Sequence, residues 1–153
     1  MRVLLGIILL LVCIFLGYIL SQKFTKKRKF YSSFLGFNSN IKNEISFSQS
    51  TLIKIADKLD VKDDFNGCVY EFIKEREFTF NKNYLNKEEI DFFKAYLTRL
   101  GSSDKFSQLS YLEEVGVQID KRLSVATENE KKYKKLYLKL GFLLGLIAFI
   151  ICL

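Results

Sequence analysis

Three adjacent carboxylate pairs, Asp63 with Asp64, Glu88 with Glu89 and Glu113 with Glu114, are the groupings in this sequence with the chemistry to bind Mg²⁺ or to divide general acid and base between them. The same pairs also read as helix starts and solvated faces, where an acidic side chain needs no catalytic reason. The rest of the chemical inventory is narrow. The chain has no His, and of its three Cys, Cys13 and Cys152 lie in apolar runs while Cys68 stands alone between them. Neither a Cys/His zinc site nor a His-based triad can be assembled from that set. A structural disulfide is not expected, which fits a reducing compartment. Gly67 is isolated and Gly101 is followed by Ser102 without a Lys in the required place, so no phosphate-cradling loop is present. The residues point to a protein that is not an enzyme, with no cofactor, no metal and no small-molecule substrate.

Charge separates the chain into parts. The net charge is +7, yet residues 31–130 hold all 17 acids against 13 Lys and Arg, a net of −4. The excess basicity sits in two collars, Lys23, Lys26, Lys27, Arg28 and Lys29 and then Lys131, Lys132, Lys134 and Lys135, with Arg2 and Lys139 further out. A nucleic-acid surface would carry its cations on the folded body among aromatics. These cations flank apolar segments, as orientation signals do. No nucleic-acid partner is expected, whereas anionic lipid is a natural neighbour for the lysines.

The apolar segments are long enough to be anchors. Val3 to Leu20 is free of charge for eighteen residues, about 27 Å as a helix, against a hydrocarbon core of about 30 Å. A cleaved signal peptide fits less well, because the basic residues follow the apolar run and Tyr18, Ile19, Leu20 and Ser21 offer no small-x-small site. At the other end Leu140 to Leu153 is fourteen residues without charge, extended to eighteen from Leu136 if Lys139 snorkels. Two spans follow, residues 1–21 and 139–153, with a cytoplasmic body of residues 22–138 and both termini outside. Gly141 and Gly145 make a GxxxG spacing suited to close helix packing in the membrane, with Gly6 or Gly17 as candidate partners.

Between the anchors the signals are helical. Phe30, Phe34, Phe37, Ile41 and Ile45 recur every three or four residues, with Gly36, Asn38, Ser39 and Asn40 weakening the middle. Ser50 caps a short helix carrying Leu52, Ile55, Ala56 and Leu59, and Asp63 or Asp64 caps one carrying Val69, Phe72 and Ile73. Glu77 to Tyr84 alternates like a strand but has no partner, and reads as a loop or frayed helix end. Asn86 with Glu89 forms a capping-box start for Ile90, Phe93, Leu97 and Leu100, and Gly101 stands where a left-handed C-cap belongs. Ser103 and Asp104 open a final helix whose seam runs Leu109, Leu112, Gly116, Ile119, Leu123, Ala126, Glu130, Tyr133 and Tyr137, straight into the second apolar run.

These features together resemble a known family. The N-terminal anchor with basic residues behind it, the stretch Glu44, Ile45, Phe47, Ser50 and Leu52, the group Leu100, Gly101, Asp104, Ser107 and Gln108, and the ending Leu140, Gly141, Phe142, Leu143 and Gly145 are similar to stage III sporulation protein AB. Ser50 and Thr51 stand where that family usually has Thr and Pro, which keeps the N-cap without the N1 proline. The segment from Leu59 to Asn86 carries no family motif. The resemblance implies an all-α antiparallel bundle of about six helices, like the cytoplasmic F domain of secretion and pilus platform proteins. It also implies a platform in the mother-cell membrane around the forespore, with other membrane subunits and a secretion-type ATPase as partners. Gly101, Asp104, Ser107 and Gln108, at a helix junction where the resemblance is strongest, are the candidates for docking it, with capping of the turn alone as the other reading of these residues. A scaffold that organises anionic lipid through its basic collars, without an ATPase, is the alternative.

Overall fold

A computed structural model describes residues 2–47, 63–75 and 82–152. Among these residues there are four helices and no strand: α1 Arg2–Phe47, α2 Asp64–Glu75, α3 Lys87–Arg99 and α4 Lys105–Cys152. The short helix expected after Ser50 lies outside the described residues, as does most of the Glu77 to Tyr84 stretch. Residues 82–86 form a turn into α3. The chain divides into two compact units, residues 29–123 and residues 1–28 with 124–153.

The unit of residues 29–123 is built on aromatic rings. Phe30, Tyr31, Phe34, Phe37 and Ile41 turn one face of α1 inward and are all buried, with Phe65 and Val69 of α2 and Phe93, Tyr96 and Leu97 of α3 against them. Phe34 stacks on Phe65 at 5.1 Å and meets Phe93 and Tyr96 edge-on at 5.3 and 4.8 Å, the offset and T-shaped arrangements that the ring quadrupole favours. The weakening expected at Gly36 does not interrupt α1. Gly36 faces open space, and Asn38 is buried with its amide donating to the Leu112 carbonyl at 2.9 Å. A helix-interior glycine costs about 1 kcal/mol, less than the burial of one large side chain returns.

Local signals set the helix ends in this unit. Asn86 accepts from the Glu89 amide at 2.8 Å while the Glu89 carboxylate accepts from the Asn86 amide at 2.9 Å, a reciprocal capping box. Beyond α3, Gly101 takes φ 75°, which a residue with a Cβ adopts only with strain. At α2 the carboxylate of Asp64 is turned aside, accepting from Lys82 at 2.9 Å and from the Tyr84 hydroxyl at 3.0 Å. The inward face of α4 in this unit is Gln108, Leu112, Val115 and Ile119, so the seam takes in Gln108 and Val115 as well as the residues that the heptad spacing selects.

The other unit pairs the first half of α1 with the last half of α4, antiparallel. Along the pair Arg28 meets Glu130, Phe24 stacks on Tyr133 at 4.8 Å, Gly17 meets Gly141 and Leu10 meets Gly145. Glycines bring the two backbones together at this contact, while Leu4, Leu5, Ile8, Leu11, Phe15, Phe142, Leu143, Ile147 and Ile150 are turned outward and exposed. Among the described residues one helix, α1, is long and apolar enough to cross a membrane.

Candidate functional site

None of the carboxylate pairs converges on a common point. Glu88 takes Arg122 at 3.1 Å, whereas Glu89 is buried and accepts from the Tyr31 hydroxyl at 3.0 Å. Glu113 is paired with Lys42 at 3.1 Å and Glu114 lies exposed one turn from Gln118. Among the described residues no group of three His, Cys, Asp or Glu is placed to hold a metal ion. Burial pushes the Cys68 thiol up to about 12, so it is protonated at neutral pH and a poor nucleophile. Burial, reinforced by the Glu89 carboxylate, likewise holds the Tyr31 phenol well above its ordinary value. Tyr31 is thus a core group with a structural partner in Glu89.

The α3–α4 turn gathers Gly101, Asp104, Ser107 and Gln108 within a few residues, but it uses them differently. Gln108 is only 2% exposed. Its carbonyl oxygen accepts from the Gly101 amide at 3.2 Å and from the Ser103 hydroxyl at 3.1 Å, stapling the turn from beneath. Asp104 is exposed and accepts from the Ser107 amide at 3.2 Å as the N-cap of α4. Hydrogen bonds from the Ser107 side chain and then its backbone hold the Asp104 carboxyl below the ordinary carboxylate value. Gly101, Asp104 and Ser107 remain at the surface beside Phe106, which is 82% exposed. A partner can touch these residues, whereas Gln108 can act only through the shape of the turn.

The glycines of the apolar unit face their counterparts closely. A Cβ on Gly141 would lie 2.8 Å from the Cys13 carbonyl oxygen and one on Gly17 2.7 Å from the Tyr137 carbonyl oxygen. A Cβ on Gly145 would stand 3.2 Å from Leu10 Cα. Of the two candidate partners, Gly6 and Gly17, it is Gly17 that stands opposite Gly141. Small residues at an interface let backbones approach where lipid supplies no hydrophobic drive.

The basic collars divide as well. Lys23, Lys26, Lys29, Lys131, Lys132, Lys135 and Lys139 are exposed, and Lys27 and Lys134 are half-buried. Lys23 lies over the Phe24 and Tyr137 rings at 5.1 and 5.9 Å. Arg28 is drawn inward to Glu130, a pairing that reading the collar as a surface misses. The sequence does hold a signal for it: Glu130 stands at a seam position, where a lone carboxylate needs a cation. Burial opposes ionisation of Glu130, but the Arg28 guanidinium bonded to it and the nearby Lys134 ammonium favour the charged form, and the net shift is downward.

An all-helical protein with a glycine-packed apolar helix pair and an aromatic-cored bundle is the class defined by these units. Over residues 2–153 the chain matches the family model for stage III sporulation protein AB, and it belongs to that family. No curated protein and no solved structure matches it.

Proposed function

We propose that this sporulation protein is a non-enzymatic membrane platform subunit, anchored by both ends with its body in the cytoplasm, that docks a secretion-type ATPase during endospore formation. Family membership supports the sporulation role. The observation that carries docking is the α3–α4 turn, where Asp104 and Ser107 stay exposed while Gln108 beneath them holds the turn's shape. The pairing of Gly17 with Gly141 supports a second span, because an α4 end packed backbone to backbone on a membrane-crossing α1 must share its depth. The test uses the full chain in lipid nanodiscs and the purified ATPase. Changing Asp104→Asn together with Ser107→Ala keeps a capping side chain and removes the surface chemistry. Binding should fall about tenfold, roughly 1.4 kcal/mol, with the melting temperature scarcely moved. Unchanged binding at unchanged stability would make the turn purely structural.

A second reading is favoured by the exposed lysines of the collars. In it the chain organises anionic lipid and has no ATPase partner. Clustering of anionic lipid by the full chain, undiminished when the body is unfolded by a core substitution, would support it.

A further inference from the structure

The outer face of the apolar unit carries a groove of about 680 Å³ lined by Ile8, Leu11, Val12, Ile14, Phe15 and Tyr18 of α1 and by Leu138 of α4. We propose that this groove seats one acyl chain of an anionic phospholipid whose phosphate is held by Lys134 and Lys26 above its mouth. The proposal rests on the membrane-anchored reading and gives the lipid partner a defined place.

Dimensions support a lipid chain as occupant. Tyr18 stands ten positions beyond Ile8, a rise of about 15 Å, half of a hydrocarbon core of about 30 Å and therefore one leaflet deep. The lining offers a single polar tip, the Tyr18 hydroxyl, at the end nearer the basic collar, where an amphipathic ring belongs at the headgroup level. Helical periodicity then places charge above that end. Four residues before Leu138 on α4 stands Lys134, and on α1 the face of Tyr18 continues through Gln22 to Lys26. On α4 the Glu130 carboxylate pairs with Arg28 and has Lys134 as a further charged neighbour, so Lys26, Arg28 and Lys134 outnumber it and leave net positive charge for a phosphate. Lysine side chains on α4 lean toward its N-terminus, that is toward the collar and away from the apolar run. An apolar trough one leaflet deep with cations above its mouth fits a phospholipid with a negative headgroup.

The chain contains no Trp, so a single inserted indole reports its own surroundings. Phe15→Trp places the probe in the groove and Phe142→Trp places it on an exposed residue outside the lining. Each full-length variant is reconstituted in vesicles of phosphatidylcholine with a minor fraction of brominated phosphatidylglycerol or, separately, brominated phosphatidylcholine. The groove probe should be quenched with about fivefold preference for the anionic lipid, the size expected of one lysine at an anionic surface. The outer probe should show markedly less preference. Lys26→Gln with Lys134→Gln should abolish the difference at position 15. Equal quenching by both lipids at position 15 would overturn the proposal. Protection of that probe from both lipids, with the outer probe still quenched, would also overturn it and assign the groove to a protein helix. If neither probe is quenched and both emit as in water, the anchored reading itself fails.

Discussion

The same two helices, α1 and α4, contribute to both units, and the two units are packed by different means. In residues 29–123 the core is built of large rings, with Phe30 and Phe34 of α1, Phe65 of α2 and Phe93 and Tyr96 of α3 buried together, and α4 adds the aliphatic Leu112, Val115 and Ile119. In the apolar unit Gly17, Ser21, Gly141 and Gly145 are buried and most large side chains of the apolar runs point outward, with Phe24 stacked on Tyr133 nearer the collars. Water explains the first pattern, since removing apolar area from it contributes about 25 cal/mol per Å². On the proposed membrane-anchored reading lipid accounts for the second, because a Leu gains nothing by leaving one hydrocarbon for another and only close approach of backbones is left to favour contact. Which residues form the interface is thus a statement about the solvent outside it.

The largest test of this contrast is Phe34→Ala. Phe34 has no exposed surface and contacts rings from three helices, so truncation should cost about 3 to 5 kcal/mol. Loss of the cooperative helical transition, followed by circular dichroism of the full chain in mild detergent, should result. The apolar pair should persist, seen as unchanged separation of spin labels at positions 5 and 150.

The reverse experiment is Gly141→Leu. Its Cβ would meet the Cys13 carbonyl, and the cost should be about 1 to 3 kcal/mol, as for other overpacked contacts. Here the spin labels should move apart while the aromatic-cored unit melts as before. If both substitutions disturb both readouts equally, the two units do not obey separate rules.

The smallest effect tests the ion pair of the apolar unit. Glu130→Gln removes the carboxylate that Arg28 engages at side-chain exposures of 33% and 14%, and for a pair partly open to solvent we expect about 1 kcal/mol or less. The pH dependence has a defined sign. Glu130's carboxyl is lowered in the folded chain, so its contribution is complete above the unfolded carboxylate value and is lost as pH falls through the lower folded one. Comparing label separation between neutral and acid pH should show a loosening in the parent that is absent from Glu130→Gln.

Helix ends are the most legible part of this architecture. The Asn86 and Glu89 capping box, Gly101 after α3 and Asp104 before α4 are signals carried within a few residues, and each of these helix ends forms where its cap stands. Gly36 is a misleading signal because propensity counts residues one at a time, whereas α1 is held by the burial of Phe34, Phe37 and Ile41 around it. Gln108 reads as a surface residue because a polar side chain at a helix start is usually solvated. Its burial is explained by the Gly101 amide and the Ser103 hydroxyl, which donate to it from across the turn.

Periodicity, charge and turn chemistry act along the chain, and they are enough to specify the helical class, the apolar runs at either end, the basic collars and the caps. Three pairings needed the folded chain: Gly17 rather than Gly6 faces Gly141, Arg28 turns inward to Glu130, and Asp64 serves Lys82 and Tyr84. A helical repeat fixes which face of a helix is apolar. It does not fix the register at which two such faces meet, because register is set by how closely their backbones can approach.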